Sequence, residues 1–112
     1  MGGAISNVDR PLADCKFRQK TVAKIYGNLI RDLNLRAENV PLLAGETVNG
    51  DQQGAAASVN TIIAGLPKAL PNSYVISSKG CECRRDHLHF TPAGYRELGK
   101  RYAERMLDLA YR

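Results

Sequence analysis

The sequence predicts an α/β protein with the element order α-β-α-β-α and two parallel strands. Apolar residues recur at helical spacing in three segments of the chain. Two short runs that are apolar without alternation lie between these segments. Strands that alternate with helices form parallel sheets, and strands buried in parallel sheets read as continuous apolar runs. These observations together favour an open α/β sheet with helices packed on it.

The first helix is expected to follow a loop over residues 1–13. Asp14 is a suitable N-cap residue, so the helix is predicted to begin there. Residues at helical spacing predict its core-facing stripe, which consists of Val22, Ile25, Leu29 and Leu33. The helix is expected to end near Asn34.

Two strands and a second helix occupy the middle of the chain. The run "VPLLAGE", residues 40–46, predicts the first strand, and "YVISS", residues 74–78, predicts the second. Residues 55–66 predict a helix, which Pro67 is expected to terminate. The segment from Gly80 to Phe90 is expected to be a loop.

The last helix carries a strong start signal. Thr91 stands at the N-cap position, and Pro92 stands at the first helical position, where a missing N–H costs nothing. The predicted apolar stripe consists of Tyr95, Leu98, Tyr102, Met106 and Leu109. Two strands alone make a poor sheet with unpaired edges. The chain is therefore interpreted as one partial domain over residues 1–112, a loop over 1–13 followed by an α/β portion over 14–112, similar to the C-terminal half of an open sheet.

Composition excludes several classes of protein. The 112 residues are 44% hydrophobic and carry a net charge of +5, without an apolar run near the roughly 20 residues that span a bilayer. The first residues show no export signal. Basic residues are scattered and alternate with acids, which favours a solvated surface over a nucleic-acid groove. Neither a nucleic-acid partner nor a membrane is predicted.

The stretch "CECRRDHLHF", residues 81–90, concentrates the residues capable of chemistry. Asp86 and His89 stand three positions apart, a spacing that brings a carboxylate onto an imidazole within a tight turn. The carboxylate then fixes the ring tautomer, and the other ring nitrogen is free to take a proton from a serine hydroxyl. A local hydrogen-bonded loop without catalytic function is the alternative for the same spacing.

Cysteines and histidines in this stretch raise a metal hypothesis. Its ligands would be Cys81, Cys83, His87 and His89. Their spacing is tighter than that of usual zinc sites, so no metal site is predicted. With Cys15 the chain has three cysteines. The sequence is compatible with a disulfide between Cys15 and one of the other two, and equally with three reduced thiols.

The segment "DHLHFTPAGYRELGKRYAERML" resembles the last block of SGNH-type (GDSL-like) hydrolases, and most closely the branch of acetylxylan esterases and sialate O-acetylesterase-like carbohydrate esterases. The upstream "NVPLLAGE", "VNTIIAGLP" and "YVISSKG" also resemble that branch, so the similarity covers residues 17–109. It implies a flavodoxin-like three-layer α/β/α fold. It also implies that His89 is the catalytic base and Asp86 the acid that orients it. Glu46, after the first strand, is a candidate for substrate contact, with a hydrogen-bonded strand-end carboxylate as the alternative.

Two departures from the family pattern affect the interpretation. The nucleophilic serine of the family lies in a Gly-Gln-Ser-Asn type block, which this sequence lacks. At the place of the middle block, His-Gln-Gly-Glu-Ser-Asn, the chain has "GGAISN", in which only Ser6 and Asn7 agree. We therefore expect the chain to be the C-terminal portion of a serine carbohydrate esterase that hydrolyses acetyl or similar acyl esters on polysaccharide. The resemblance implies no metal or organic cofactor, an acylated polysaccharide or oligosaccharide as substrate, and a secreted or periplasmic location for an intact member.

Two alternatives belong to other functional classes. The first is a non-catalytic α/β module that buries its strand edge against a second copy or a separate N-terminal half. The second is a small zinc-binding protein that uses the cysteines and histidines of residues 81–89.

Overall fold

The computed structural model describes residues 9–111, with side chains described from residue 18 onward. It is an α/β structure whose two strands are parallel, as predicted. Leu42 lies opposite Ser73, and Gly45 lies opposite Ile76. The elements in chain order are α1 (Asp9–Asp32), β1 (Leu42–Gly45), α2 (Val59–Ala64), α3 (Leu66–Ala69), β2 (Ser73–Ile76) and α4 (Pro92–Ala110).

Helix α1 begins earlier than the sequence suggested. It starts at Asp9, so residues 9–13 are helical and the predicted loop is wrong there. Asp14 lies inside the helix and is not its cap. Pro11 is compatible with this start, because N–H groups in the first turn of a helix have no intrahelical acceptor and proline therefore removes no hydrogen bond. The remaining predicted loop residues, 1–8, lie outside the described residues.

The single helix predicted over residues 55–66 is two short helices. Residues 55–58 form turns, and α2 then runs from Val59 to Ala64. Pro67 does not terminate a helix but stands in the first turn of α3, where proline fits. Gly65 therefore separates two helices. A Cβ on it would overlap the Gln19 side chain, whose Nε2 donates to the Ile62 carbonyl at 3.0 Å and so ties α1 to α2.

The start of α4 is confirmed. Thr91 is its N-cap, and the threonine Oγ1 accepts a hydrogen bond from the Gly94 N–H at 3.1 Å, with Pro92 as the first helical residue. Helix α4 packs over both strands, and α1 packs against α2 and α3. The core between α4, the sheet and the following loops consists of Val48, Ile76, Cys81, Phe90 and Leu98.

The predicted inward stripe of α1 is largely uncovered. Ile25, Leu29 and Leu33 are 55%, 53% and 62% exposed. The prediction that they face a core is wrong for this chain, because a two-stranded sheet is too narrow to cover the helix. No helix in the described residues has both the length and the hydropathy of a membrane span.

Candidate active site

The loop between β2 and α4 is a closed hairpin anchored in the core. Cys83 and Phe90 form an antiparallel bridge across its base, and the Arg84 N–H donates to the His89 carbonyl at 2.8 Å. Cys81 and Phe90 are buried at 1% and 5% exposure. The six residues at the tip, 84–89, are therefore held at both ends and presented to solvent at the carboxyl end of the sheet.

Asp86 and His89 meet at the tip of this hairpin. The Asp86 Oδ2 atom lies 2.6 Å from His89 Nδ1. The other carboxylate oxygen, Oδ1, accepts from the backbone N–H groups of Leu88 at 2.9 Å and His89 at 3.0 Å. One carboxylate oxygen therefore bonds to the backbone of the turn, and the other bonds to the imidazole. The turn holds Asp86 in place, and Asp86 in turn orients the His89 ring.

The free side of the imidazole faces outward. The His89 side chain is 60% exposed, and that of Asp86 is 47% exposed. Because Nδ1 bonds to the carboxylate, the proton-accepting position left to the neutral ring is Nε2. Among the residues that the structure describes, Nε2 has no hydrogen-bond partner, so it is available to a group that docks from outside.

The Asp86 carboxyl is held in its ionised form. The hydrogen bond from His89 holds the pKa of this carboxyl far below its usual range, and the backbone N–H groups of His89 and Leu88 lower the pKa further. An ionised Asp86 stabilises the imidazolium that forms when His89 takes a proton. The pair therefore has the geometry and the charge of a general base with its orienting acid.

Gln52 fastens the hairpin to the loop that follows β1. Its Nε2 donates to the Cys81 carbonyl at 2.5 Å, and its Oε1 accepts from the Cys83 N–H at 3.3 Å. Its backbone carbonyl lies 2.8 Å from His87 Nδ1. The Ala55 N–H donates to the His87 carbonyl at 2.8 Å. His87 takes a left-handed conformation, φ 56°, in this arrangement. These contacts join residues about 30 positions apart, and no sequence motif pointed to Gln52.

Comparison with known protein families matches residues 7–108 to the carbohydrate esterases of the sialic acid-specific acetylesterase type. The chain belongs to this family. The match spans nearly the whole chain and includes the Asp86–His89 hairpin, so the predicted relationship to carbohydrate esterases is confirmed. No solved structure matches the chain.

In this member of the family, Glu46 forms a junction between the two strand ends. Its Oε1 accepts from Asn49 Nδ2 at 2.8 Å and from the Ser78 N–H at 2.9 Å. These bonds fit the alternative of a hydrogen-bonded strand-end carboxylate, which ties the loop after β1 to the loop after β2. Substrate contact by Glu46 stays a prediction.

The serines near the strand end are engaged elsewhere. Ser78 is fully buried and donates to the Thr47 carbonyl at 2.6 Å. Ser77 Oγ accepts from the Lys79 N–H at 3.2 Å. Ser73, at the amino end of β2, is buried and donates to the Leu70 carbonyl at 2.6 Å. No serine in the described part of the chain bonds to His89, and Ser6 lies outside it.

The cysteines of the hairpin are free thiols, and the Cys15 side chain lies outside the described part of the structure. Burial raises the pKa of the Cys81 thiol, which favours its protonated form. Cys83 Sγ lies 4.0 Å from His87 Nδ1. Across residues 18–111, no three His, Cys, Asp or Glu side chains come together where they could hold a metal ion. The geometry of these residues gives the zinc hypothesis no support.

The pairing of Asp86 with His89 predicts an unusual carboxyl titration. We expect carbon-13 NMR to show Asp86 ionised well below pH 4, and His89→Ala to raise its pKa towards the ordinary value by removing the hydrogen bond. The pKa of Asp86 should still lie below its ordinary value in this variant, because the two backbone N–H donors remain. Arg85→Ala, an exposed neighbour that is not a cause of the shift, is the control.

The same shift sets the sign of the pH effect on folding. Because the folded-state pKa lies below the unfolded value of about 4, the contribution of Asp86 to stability is fully present above about pH 4. It is lost as the pH falls through the folded-state pKa. An unshifted Asp86 titration in the wild-type chain would contradict the paired geometry.

Proposed function

We propose that this chain supplies the acid–base pair of a serine esterase that removes acetyl groups from the hydroxyls of an acylated polysaccharide or oligosaccharide. The observation that supports the proposal is the 2.6 Å contact between Asp86 and His89, with the opposite ring nitrogen free among the described residues. Membership of the carbohydrate esterase family supports the reaction class. In this proposal His89 is the general base and acid, and Asp86 is a positioning residue.

The reaction has two half-reactions that the His89 ring connects. In the first, His89 Nε2 takes the proton of a serine hydroxyl while the serine oxygen attacks the acetyl carbonyl carbon. The tetrahedral intermediate collapses, and His89 returns the proton to the sugar oxygen as the ester bond breaks. In the second, His89 takes one proton from water as the water oxygen attacks the acetyl-serine, and the same proton restores the serine hydroxyl as acetic acid leaves and ionises to acetate. Asp86 stays ionised throughout and stabilises the imidazolium.

The serine and the oxyanion donors are proposed to come from outside these 112 residues. The sequence contains no Gly-Gln-Ser-Asn type block. None of the described serines forms a hydrogen bond with His89, and those after the carboxyl end of β2, Ser77 and Ser78, bond to neighbouring backbone groups. The exposed Nε2 of His89 is consistent with a serine presented by another polypeptide segment that docks over the hairpin.

The chain on its own should therefore lack esterase turnover. We expect the purified chain to hydrolyse p-nitrophenyl acetate no faster than equimolar imidazole, because an exposed histidine ring without a serine is only a weak general catalyst. No burst of p-nitrophenol from acyl-enzyme formation is expected. A rate far above that of imidazole, lost on His89→Ala, would show that the chain holds its own nucleophile and would overturn this part of the proposal.

The substrate class is tested after the chain is combined with a serine-carrying polypeptide. Co-expression with the N-terminal half of a member of this family, ending at its middle block, provides the missing Gly-Gln-Ser-Asn block. We expect the combined protein to release acetate from O-acetylated sugars. Comparing O-acetylated sialic acid with acetylated xylan decides between the two branches. Release from neither substrate would contradict the proposal.

A further inference from the structure

An asparagine–glycine pair, Asn49 and Gly50, lies in the segment that fastens the His89 hairpin to the end of β1. In such a pair the backbone nitrogen of the glycine attacks the asparagine side-chain amide readily, because glycine has no Cβ to hinder the approach and a freely rotating backbone. Gly50 is exposed, and a Cβ built on it meets none of the described atoms within 4 Å. The backbone at Gly50 therefore has room to change conformation in contact with water.

The Asn49 side chain is folded onto the nitrogen that follows it in the chain. Its Oδ1 accepts a hydrogen bond from the Gly50 N–H at 3.0 Å. Its Nδ2 donates to Glu46 Oε1 at 2.8 Å. The attacking nitrogen and the amide under attack are thus already in contact. Ring closure needs the nitrogen to lose its proton and to move from the amide oxygen to the adjacent Cγ carbon.

A second asparagine, Asn72, is also followed by a small residue but is held differently. The N–H of the following Ser73 donates to the Leu70 carbonyl at 3.1 Å, and Ser73 is only 3% exposed. Asn72 Nδ2 donates to the Ala37 carbonyl at 2.8 Å, and its Oδ1 accepts from the Tyr74 hydroxyl at 3.2 Å. The nitrogen after Asn72 is buried and bonded elsewhere, so Asn72 is an internal control for Asn49.

Asn49 also organises the turn that carries Gln52. Its backbone carbonyl accepts from the N–H groups of Gln52 at 3.1 Å and Gly54 at 3.0 Å. It stands at the start of a single 3₁₀ turn, Gly50–Gln52. The Gln52 side chain in turn bonds to the backbone at the base of the His89 hairpin. Asn49 is therefore linked to the hairpin through one intervening residue.

We propose that Asn49 is a site of spontaneous deamidation, and that its conversion loosens the attachment of the His89 hairpin to the loop after β1. The Gly50 nitrogen loses its proton and bonds to Asn49 Cγ, the Cγ–Nδ2 bond breaks, and ammonia leaves with that proton. Water then opens the cyclic imide at either of its two carbonyl carbons, which gives aspartate or isoaspartate. Water is the one co-reactant, and the inference does not rest on the proposed function.

Both products disturb the junction at Glu46. A carboxylate replaces the amide that donated to Glu46 Oε1, so two carboxylates repel each other where a hydrogen bond was. The same Glu46 oxygen accepts the Ser78 N–H, which ties the two loops together. Isoaspartate also adds a carbon to the main chain and turns the carbonyl that accepted from Gln52 into a side-chain carboxylate. The turn that carries Gln52 then loses its acceptor.

Peptide mapping by mass spectrometry tests the site in the purified chain, held at mildly alkaline pH and sampled over days. We expect Asn49 to show the mass change of an amide converted to an acid, as aspartate and isoaspartate, and Asn72 to stay amidated. Gly50→Ala should slow the conversion by about tenfold or more, since the added methyl hinders the nitrogen. If Asn49 stays amidated as long as Asn72, or converts equally fast in Gly50→Ala, the deamidation proposal is wrong.

Amide hydrogen exchange in fresh and aged chain tests the consequence for the hairpin. We expect the Gly54, Ser78 and Cys83 amides to lose protection in the aged wild type, because their acceptors belong to the disturbed junction. The Leu42 amide, bonded between the strands, should keep its protection. Aged Gly50→Ala should behave as fresh protein. Unchanged exchange in fully deamidated chain would overturn the loosening of the hairpin.

Two further variants separate the new charge from the change in the main chain. Asn49→Asp supplies the aspartate product without isoaspartate, and we expect it to reduce protection of the Ser78 amide. Adding Glu46→Gln should restore that protection, because one of the two facing carboxylates is removed and the new amide can still accept the Ser78 N–H. Full protection of Ser78 in Asn49→Asp would contradict repulsion at this junction.

Discussion

In an active esterase assembled around this chain, replacing His89 by alanine should lower kcat by about 10⁴-fold. The ring is the group positioned to move the proton from serine to the sugar oxygen, and its Nδ1 is already committed to Asp86 at 2.6 Å. Asp86→Asn should also lower kcat, by up to about 10⁴-fold, because an amide can stabilise the wrong tautomer of the ring. Steady-state kinetics on an acetylated sugar measures both effects.

The control for these variants lies in the same hairpin. Arg85 is exposed, and it takes no part in the hydrogen bonds that join Asp86 to Leu88 and His89. We expect Arg85→Ala to retain wild-type kcat. The double variant His89→Ala with Asp86→Asn should be no worse than His89→Ala alone, because Asp86 acts through the ring. A loss in kcat below tenfold for His89→Ala would mean that another group is the base.

Replacing Gly94 by alanine should destabilise the fold by about 1–3 kcal/mol, although alanine favours a helix over glycine by about 1 kcal/mol. A Cβ at this position would overlap the Glu82 carbonyl oxygen and lie 3.1 Å from the Phe90 Cβ. The obstacle is backbone, which cannot rotate away as a side chain can. The same carbonyl accepts the Thr91 N–H at 3.0 Å, so the clash would disturb the helix start and the base of the His89 hairpin together.

Gly99 is the matched control for this substitution. It lies in the same helix, and a Cβ there meets nothing within 4 Å. Gly99→Ala should therefore stabilise the isolated chain by about 0.5–1 kcal/mol, the ordinary gain from replacing a helical glycine. Denaturant unfolding followed by circular dichroism gives the two free energies of unfolding. If both variants raised the free energy of unfolding, helix propensity would decide at both positions. The overlap between the Gly94 Cβ and the Glu82 carbonyl would then be relieved at little energetic cost.

The catalytic candidates were accessible to sequence reasoning because they are local. Asp86 and His89 are three residues apart, and one turn closes both the backbone bonds and the side-chain contact. Gln52 was missed because its partners, Cys81 and Cys83, lie about 30 residues away and an isolated glutamine carries no motif. Glu46 was singled out by its place after a strand, but only the fold showed its bond to the Ser78 N–H.

The boundaries of the helices show the limit of local signals. The Thr91-Pro92 start of α4 was predicted correctly because cap and helix are adjacent in the chain. Asp14 is an equally suitable cap residue in isolation, yet the chain continues the helix back to Asp9. Pro67 reads as a terminator, and in the structure it begins a helix of its own. A single residue permits both outcomes, and the packing of its neighbours selects one.

The sequence by itself determined the α/β class, the parallel pairing expected of alternating elements, the cap of α4 and the Asp86–His89 pair. All of these depend on residues within a few positions of each other or on the order of elements. Only the tertiary structure decided which residues are left uncovered. Ile25, Leu29 and Leu33 have the periodicity of a core stripe, but they are exposed. Burial requires another part of the protein to pack against them, and the periodicity of a helix does not show whether such a part is present. The bonds from Arg101 of α4 to the Ser77 and Lys79 carbonyls likewise join residues more than 20 positions apart, and only the fold brings them together.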